Sequence, residues 1–263
     1  MHTKKTITAT AALLALPALT FAQSSPLNIN VGTDMLSSTH LFQVITLVTL
    51  LSVAPSLLLM VTSFTRLVVV FAFLRSALGL QTTPPNAVMV SLALFLTSFI
   101  MAPTLQASYT NGVAPYLDNK ISAETAFNRG TEPFKRFMLA NVREDDLGLF
   151  IGFIDPKSRA AIHIPAPKQT SAEREAAIAS VPLQALIPAF MISELRRAFE
   201  IGFLLFLPFL IIDLTVASIL MSMGMMMLPP VTIALPFKVV FFVLVDGWHL
   251  LAGTLVESFK PAL

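Results

Sequence analysis

Two aspartates stand inside apolar stretches, Asp213 in Ile211-Ile212-Asp213-Leu214 and Asp246 in Val245-Asp246-Gly247-Trp248. Two carboxylates sharing a proton at close range could activate water for peptide hydrolysis. Their flanks do not carry the glycine-aspartate motif of the presenilin-like proteases. The commoner use of an acid in such a stretch is to pair with a buried base. Arg66, Arg75 and Lys238 are the bases available. Asp213 and Asp246 are therefore expected to pair with some of them, between helices or between subunits. The four histidines (His2, His40, His163, His249) are far apart and form no HExxH. There is no Gly-rich phosphate loop ending in Lys and no GxSxG. The absence of Cys excludes disulfides, Cys-ligated zinc and thiol catalysis. The chain reads as a non-enzyme without metal or cofactor.

A second cluster has softer chemistry. Met221-Ser222-Met223-Gly224-Met225-Met226-Met227 places five of 12 methionines in seven residues. These positions cover most of a helix circumference, whereas a packed face recurs every three to four residues. Gly224, with Pro229-Pro230 just beyond, reads as a loop or broken helix. Thioether side chains are flexible and mould to irregular partners. Two readings follow: filler in a helix core, or a deformable seal across a channel.

The elements that must position these residues are apolar. Of 263 residues, 55% are hydrophobic and 12% charged, with a mean hydropathy of +0.78. Soluble domains are about 25% charged. The 17 basic and 15 acidic residues leave no basic surplus, which argues against nucleic acid as a partner. Only five charges lie in residues 1–117 and five in 201–263, leaving 22 of the 32 between. The expected class is all-α: a polytopic membrane-type protein of two helical hairpins with a partly helical polar insert.

Residues 1–22 read as a signal peptide: Lys4 and Lys5, an apolar run from Ile7 to Phe21, then Thr20-Phe21-Ala22 as the cleavage site. Residues 23–40 would be an exported segment. The first hairpin occupies 41–106, with apolar runs Leu41–Thr65 and Ala87–Gln106 and one helix expected over Ser56–Leu78. Pro84, Pro85 and Asn86 mark its turn. The second hairpin occupies 201–263, with runs Ile201–Pro236 and Val239–Val256. Each hairpin strand approaches or exceeds the ~20 residues that cross a bilayer. Arg66 and Arg75 lie nine residues apart, on opposite helix faces. A lone Arg at mid-bilayer costs about 2.5 kcal/mol or more. Arg66 thus calls either for a displaced helix or for covering protein, and suggests obligate assembly. The insert, 107–200, suits the extracytoplasmic side, together with both termini. Glu194 with Arg197 and Arg196 with Glu200 would be surface pairs on a solvated helix.

Two blocks carry a family resemblance. Ser63-Phe64-Thr65-Arg66 leading to Phe73-Leu74-Arg75-Ser76-Ala77-Leu78-Gly79 and Thr83-Pro84-Pro85-Asn86 forms the first. Phe199-Glu200-Ile201-Gly202-Phe203, Leu207-Pro208-Phe209 to Asp213, Met221–Pro230, Leu235-Pro236-Phe237-Lys238 and Val245-Asp246-Gly247-Trp248 form the second. Together they resemble the FliP family of type III export-gate subunits. Ser76 and Thr82 depart from its commoner Asn and Gln. The resemblance implies a pore-forming core subunit of the flagellar protein-export apparatus in the basal body of the bacterial inner membrane. It implies five copies assembled with FliQ and FliR, near FlhA and FlhB, passing unfolded substrates. It also implies that Met221–Met227 act as the pore gasket, centred on Met223, Met225, Met226 and Met227. Injectisome homologues share both blocks, but Met-Gly-Met-Met-Met-Leu-Pro-Pro and the signal peptide look flagellar. A small-solute channel is the alternative of another class.

Overall fold

A computed structural model of the chain describes residues 44–46, 48, 49, 52, 53, 56, 59–80, 82–160, 162, 171–225 and 227–259. The signal-peptide and exported-segment expectations lie outside these residues, as do half of residues 41–60, residues 163–170 and Met226. The chain divides into two units, Met1–Ser52 and Val53–Leu263. Of the first, the described positions 44–46, 48, 49 and 52 are helical and exposed. Everything below concerns the second.

All regular structure among the described residues is helical. Helix α1 spans Phe64–Ala77 and α2 Asn86–Ser108. A π-helical turn, Tyr109–Val113, joins α2 to α3, Ala114–Leu117. Then follow α4 (Ala123–Asn141), α5 (Glu144–Gly152), α6 (Pro156–Arg159) and α7 (Ser171–Ser180). The long α8 covers Leu183–Ser222, α9 covers Pro230–Leu244 and α10 covers Gly247–Glu257.

Helix α1 begins at Phe64, after a turn at Val61–Ser63, so the helix expected over Ser56–Leu78 is interrupted. No Pro or Gly marks that break. Thr62 is the local cause: its Oγ1 donates back to the Leu59 carbonyl at 3.2 Å and accepts from Phe64 N–H at 3.4 Å. Such hydroxyls compete with the backbone ladder. The buried face of α1 is Arg66, Leu67, Val70, Phe71, Leu74 and Ala77, a stripe of helical period. Gly79 ends the hairpin strand with φ +74. Pro85 precedes α2 as its N-cap, and its carbonyl accepts from Val88 and Met89 N–H at 3.0 and 3.2 Å.

Helix α8 forms the spine. It runs 40 residues, through both Pro188 and Pro208, and across the expected insert boundary at Ile201. The other boundary, at Gln106, likewise falls within continuous helix. Helicity therefore does not stop where charge density changes. Phe190, Glu194, Ala198 and Gly202 follow one another at four-residue steps and are all buried. The small members of this row admit α1: a Cβ built on Gly202 would lie 2.5 Å from the Phe73 ring.

Two cores are strung along α8. The first joins Leu67, Val70, Phe71 and Leu74 of α1 to Met89, Ala93 and Leu96 of α2, Phe209 of α8, Phe242 of α9 and Leu251 and Leu255 of α10. The second joins Met101 of α2 to Phe137 and Met138 of α4, Leu147 of α5, Leu186 and Phe190 of α8 and Phe259. At the second core, Ser193 Oγ accepts from Arg143 N–H at 3.0 Å and donates to Asp146 Oδ2 at 2.7 Å, fixing the start of α5 on α8. On α4, Lys135 Nζ donates to Ala179 O near the end of α7 at 3.2 Å. Burial pushes this ammonium below the usual lysine range, partly offset by Glu132.

Candidate functional site

Arg66 is fully buried, and the groups that cover it come from its own chain. Its Nε donates to Glu194 Oε2 at 2.8 Å and its Nη2 to Glu194 Oε1 at 2.5 Å. Its Nη1 donates to Ser258 O at 3.0 Å and to Ser258 Oγ at 2.8 Å. The guanidinium also lies 3.7 Å from the centre of the Phe259 ring. The planar fork is matched by a bidentate carboxylate, the geometry that arginine serves best. One side chain thus ties α1, α8 and the chain just after α10 together.

This arrangement corrects two expectations. Glu194 is buried, not a member of a surface pair with Arg197, and its partner is Arg66. Arg66 pairs with neither Asp213 nor Asp246, and its burial within one subunit removes the argument that it needs sister subunits. The four-residue row Phe190, Glu194, Ala198, Gly202 carried the missing signal. An acid on a row of small and aromatic residues faces a packed neighbour, whereas the i, i+3 charge spacing drew attention to the solvent side. By contrast, Arg196 Nε does meet Glu200 Oε1, at 3.2 Å, on the exposed face.

A second buried cation lies lower on the spine. Lys238 of α9 donates to Asp213 Oδ2 of α8 at 2.7 Å and to the Ala77 carbonyl of α1 at 3.0 Å. The ammonium is nearly closed off from solvent, and the acid is partly exposed. It sits at the C-terminal end of α1, where a positive charge is favoured. The other acid oxygen, Asp213 Oδ1, is buried without a partner among the described residues.

The remaining charged positions are dispersed. Arg75 donates to the Asn86 side-chain oxygen, which closes the turn containing Pro84 and Pro85. Asp246 is exposed, has φ 50 and ψ 51, and makes no ion pair among the described residues. It stands at a break where α9 and α10 bend by 63°. Gly247 is required there, because a Cβ would meet the Phe242 ring at 2.2 Å.

The methionine cluster lies where α8 ends. Gly224 takes φ +74, its N–H donates to Met221 O at 3.1 Å, and Met225 N–H donates to Leu220 O at 3.0 Å. These two bonds form a Schellman cap, which requires the left-handed residue that glycine supplies. Met221 belongs to the last helical turn. Met223, Met225 and Met227 lie beyond it, on the way to α9 at Pro230. All four are exposed, Met227 almost completely. The cluster is therefore a capped loop at the tip of two apolar helices.

Among the described residues no group of three or more His, Cys, Asp or Glu could hold a metal ion. Asn86–Leu117 and Leu183–Ser222 are long and apolar enough to cross a membrane, and the bent pair α9 and α10 could add a third span.

The FliP family model matches residues 47–255. The chain is 53% identical to the flagellar biosynthetic protein FliP of Caulobacter vibrioides over 97% of its length and 89% of the relative's. It is 50% identical to that of Rhizobium meliloti, covering 94% and 96% of the two chains. The corresponding protein of Bacillus subtilis is 46% identical, covering 91% and 97%. With a match this long, taking in α1, the spine and the methionine loop, the chain belongs to the FliP family.

Proposed function

We propose that the chain is a non-enzymatic, pore-forming subunit of the flagellar protein-export apparatus, required for export of flagellar proteins and flagellum assembly. It acts in the bacterial inner membrane as part of the basal body, with the insert and both termini extracytoplasmic. Copies of the chain, five by the family pattern, assemble with FliQ and FliR, close to FlhA and FlhB. Unfolded export substrates pass along the axis, and Met221–Met227 close it at rest.

The observation that carries this reading is the unsatisfied outer face of α8. Phe203, Leu204, Leu207, Leu210, Ile211 and Leu214 are exposed, and only 11% of the helix's most apolar stretch is buried within the chain. An apolar face of this extent marks a surface for lipid or for other protein. One buried acid oxygen favours protein. Arg66 and Lys238 are already neutralised within the chain and ask for nothing further, but Asp213 Oδ1 has no donor among the described residues. A neighbouring subunit that donates to Asp213 would serve that atom, whereas lipid tails would not.

Deletion with complementation tests the reading. Cells lacking the chain are expected to export no filament protein and to build no filament, with both restored by the full chain. Filament export without it would overturn the proposal. Reconstituted alone, the chain is expected to transport no small solute; sustained solute uptake would favour the channel reading. For the seal, Met225→Ala with Met226→Ala and Met227→Ala in the assembled complex is expected to leak ions at rest. Unchanged conductance would remove the gasket role.

A further inference from the structure

We propose that the loop after α8 is a site of reversible methionine oxidation, and that sulfoxide formation there unseals the resting pore. The second half rests on the gasket reading above.

Exposure separates most of the described methionines. Met221, Met223, Met225 and Met227 are between 44% and 99% exposed, whereas Met89, Met101 and Met138 are between 1% and 5%; outside the loop, Met60 is 40% exposed and Met191 is half-buried. Position explains the division. The cap at Gly224 ends α8 just after Met221 and turns the chain, so Met221 on the last turn and Met223, Met225 and Met227 beyond it have no helix packed over them among the described residues. The buried three stand in the two cores, between α2, α4 and α8. The chain has no Cys, so no thiol of its own competes for a two-electron oxidant. The exposed thioethers are then readily oxidised side chains.

The chemistry needs only a peroxide-class oxidant. A sulfur lone pair attacks one peroxide oxygen, the O–O bond breaks, and an S–O bond forms. Sulfur loses two electrons, and hydrogen peroxide becomes water. Reductase enzymes reverse the step: the oxygen leaves as water while two thiols of the reductase couple become a disulfide. The product side chain is polar and accepts hydrogen bonds from water. Several such groups in a seven-residue loop convert a surface that excludes water into one that binds it. A seal made of thioethers is thereby opened without any change in the backbone that carries it.

The test uses the full chain assembled with its partners in lipid vesicles. Hydrogen peroxide is added, oxidation is mapped by peptide mass, and ion conductance is followed. Met221, Met223, Met225 and Met227 are expected to oxidise at least about tenfold faster than Met89, Met101 and Met138. Conductance should rise with loop oxidation and fall back on treatment with methionine sulfoxide reductases. A variant carrying Met221→Leu, Met223→Leu, Met225→Leu, Met226→Leu and Met227→Leu is read as the ratio of conductance after peroxide to that before, whatever its baseline. That ratio is expected to stay near one. Loop oxidation no faster than that of the buried methionines overturns the proposal, and so does loop oxidation without a rise in conductance. The alanine variant described above separates the two readings. If it leaks while peroxide has no effect, the seal stands and the oxidation proposal falls. If it does not leak, the gasket itself falls.

Discussion

Arg66 and Glu194 are 128 residues apart in the chain, yet they meet through two hydrogen bonds of 2.8 and 2.5 Å with both side chains closed to solvent. Each charge is tolerable only because the other is present. Removing one partner of a buried pair costs about 3–5 kcal/mol, while replacing both by apolar residues can be near neutral. Arg66→Met and Glu194→Met should each sharply lower the unfolding midpoint in detergent, and the double variant should recover much of the loss. Arg66→Lys should recover little, because a point charge cannot reproduce the fork that also reaches Ser258. Two single variants with wild-type stability would show that the pair does not form.

The same pair shows what could be read from the sequence. The apolar runs announced helices of the right class, and the Gly224–Pro230 punctuation announced the end of α8 and the start of α9. A base inside an apolar helix announced the need for cover. What covers it depends on a contact across more than a hundred residues. Charge density placed Glu194 in a polar insert, although helix α8 runs straight through that boundary. The interruption at Val61–Ser63 was hidden for a different reason, since it is marked by a threonine hydroxyl of a kind that also occurs in unbroken helices. Lys238 with Asp213 was accessible because only three bases stood in apolar surroundings. No such count identified Ser258 or Phe259, whose roles arise from where the chain leaves α10.

Lys238 and Asp213 should behave as a pair of unequal members. The lysine is nearly buried and holds a backbone carbonyl as well as the acid, whereas the acid keeps a quarter of its side chain in contact with solvent. Lys238→Met should therefore harm stability more than Asp213→Asn. Lys238→Asp with Asp213→Lys should restore less than full assembly, because the carbonyl of Ala77 then faces an acid unless the side chains rearrange. Assembly yield on size-exclusion chromatography provides the comparison. A fully restored swap would show that the Ala77 contact contributes nothing.

Two glycines set helix spacing by different means, and substitution should distinguish them. At Gly202 the obstacle to a Cβ is the Phe73 ring, at 2.5 Å. At Gly112, in the π-helical turn, it is backbone: Ala126 O and Gly130 Cα, both at 2.8 Å. Overpacking of this kind costs about 1–3 kcal/mol. Gly202→Ala should be rescued in large part by Phe73→Leu, since the clash is with a side chain. Gly112→Ala should resist rescue by truncating side chains on α4. Thermal melts of the single and double variants decide this. Failure of Phe73→Leu to help Gly202→Ala would place the crowding elsewhere.

Left-handed residues of opposite kinds stand at the end of α8 and the end of α9, Gly224 with φ +74 and Asp246 with φ 50. Gly224 adopts this conformation freely, and nothing lies within 4 Å of the position its Cβ would take. Gly224→Ala therefore isolates backbone strain, expected at about 1–2 kcal/mol. Its local readout is the Met225 amide, which donates to Leu220 O across the cap and should exchange with deuterium faster in the variant. Gly224→Asn should lie between the two, because Asn visits this region more easily than Ala. At Asp246 the direction reverses. A residue other than glycine already bears the strain, so Asp246→Gly should relieve it and Asp246→Val should worsen it. The carboxylate makes no ion pair among the described residues, so little is lost with it in the free chain. If Asp246→Gly leaves the monomer as stable or more stable but lowers assembly yield, the carboxylate acts between subunits. If both fall together, its contribution lies within the chain, and the bend between α9 and α10 depends on more than backbone conformation.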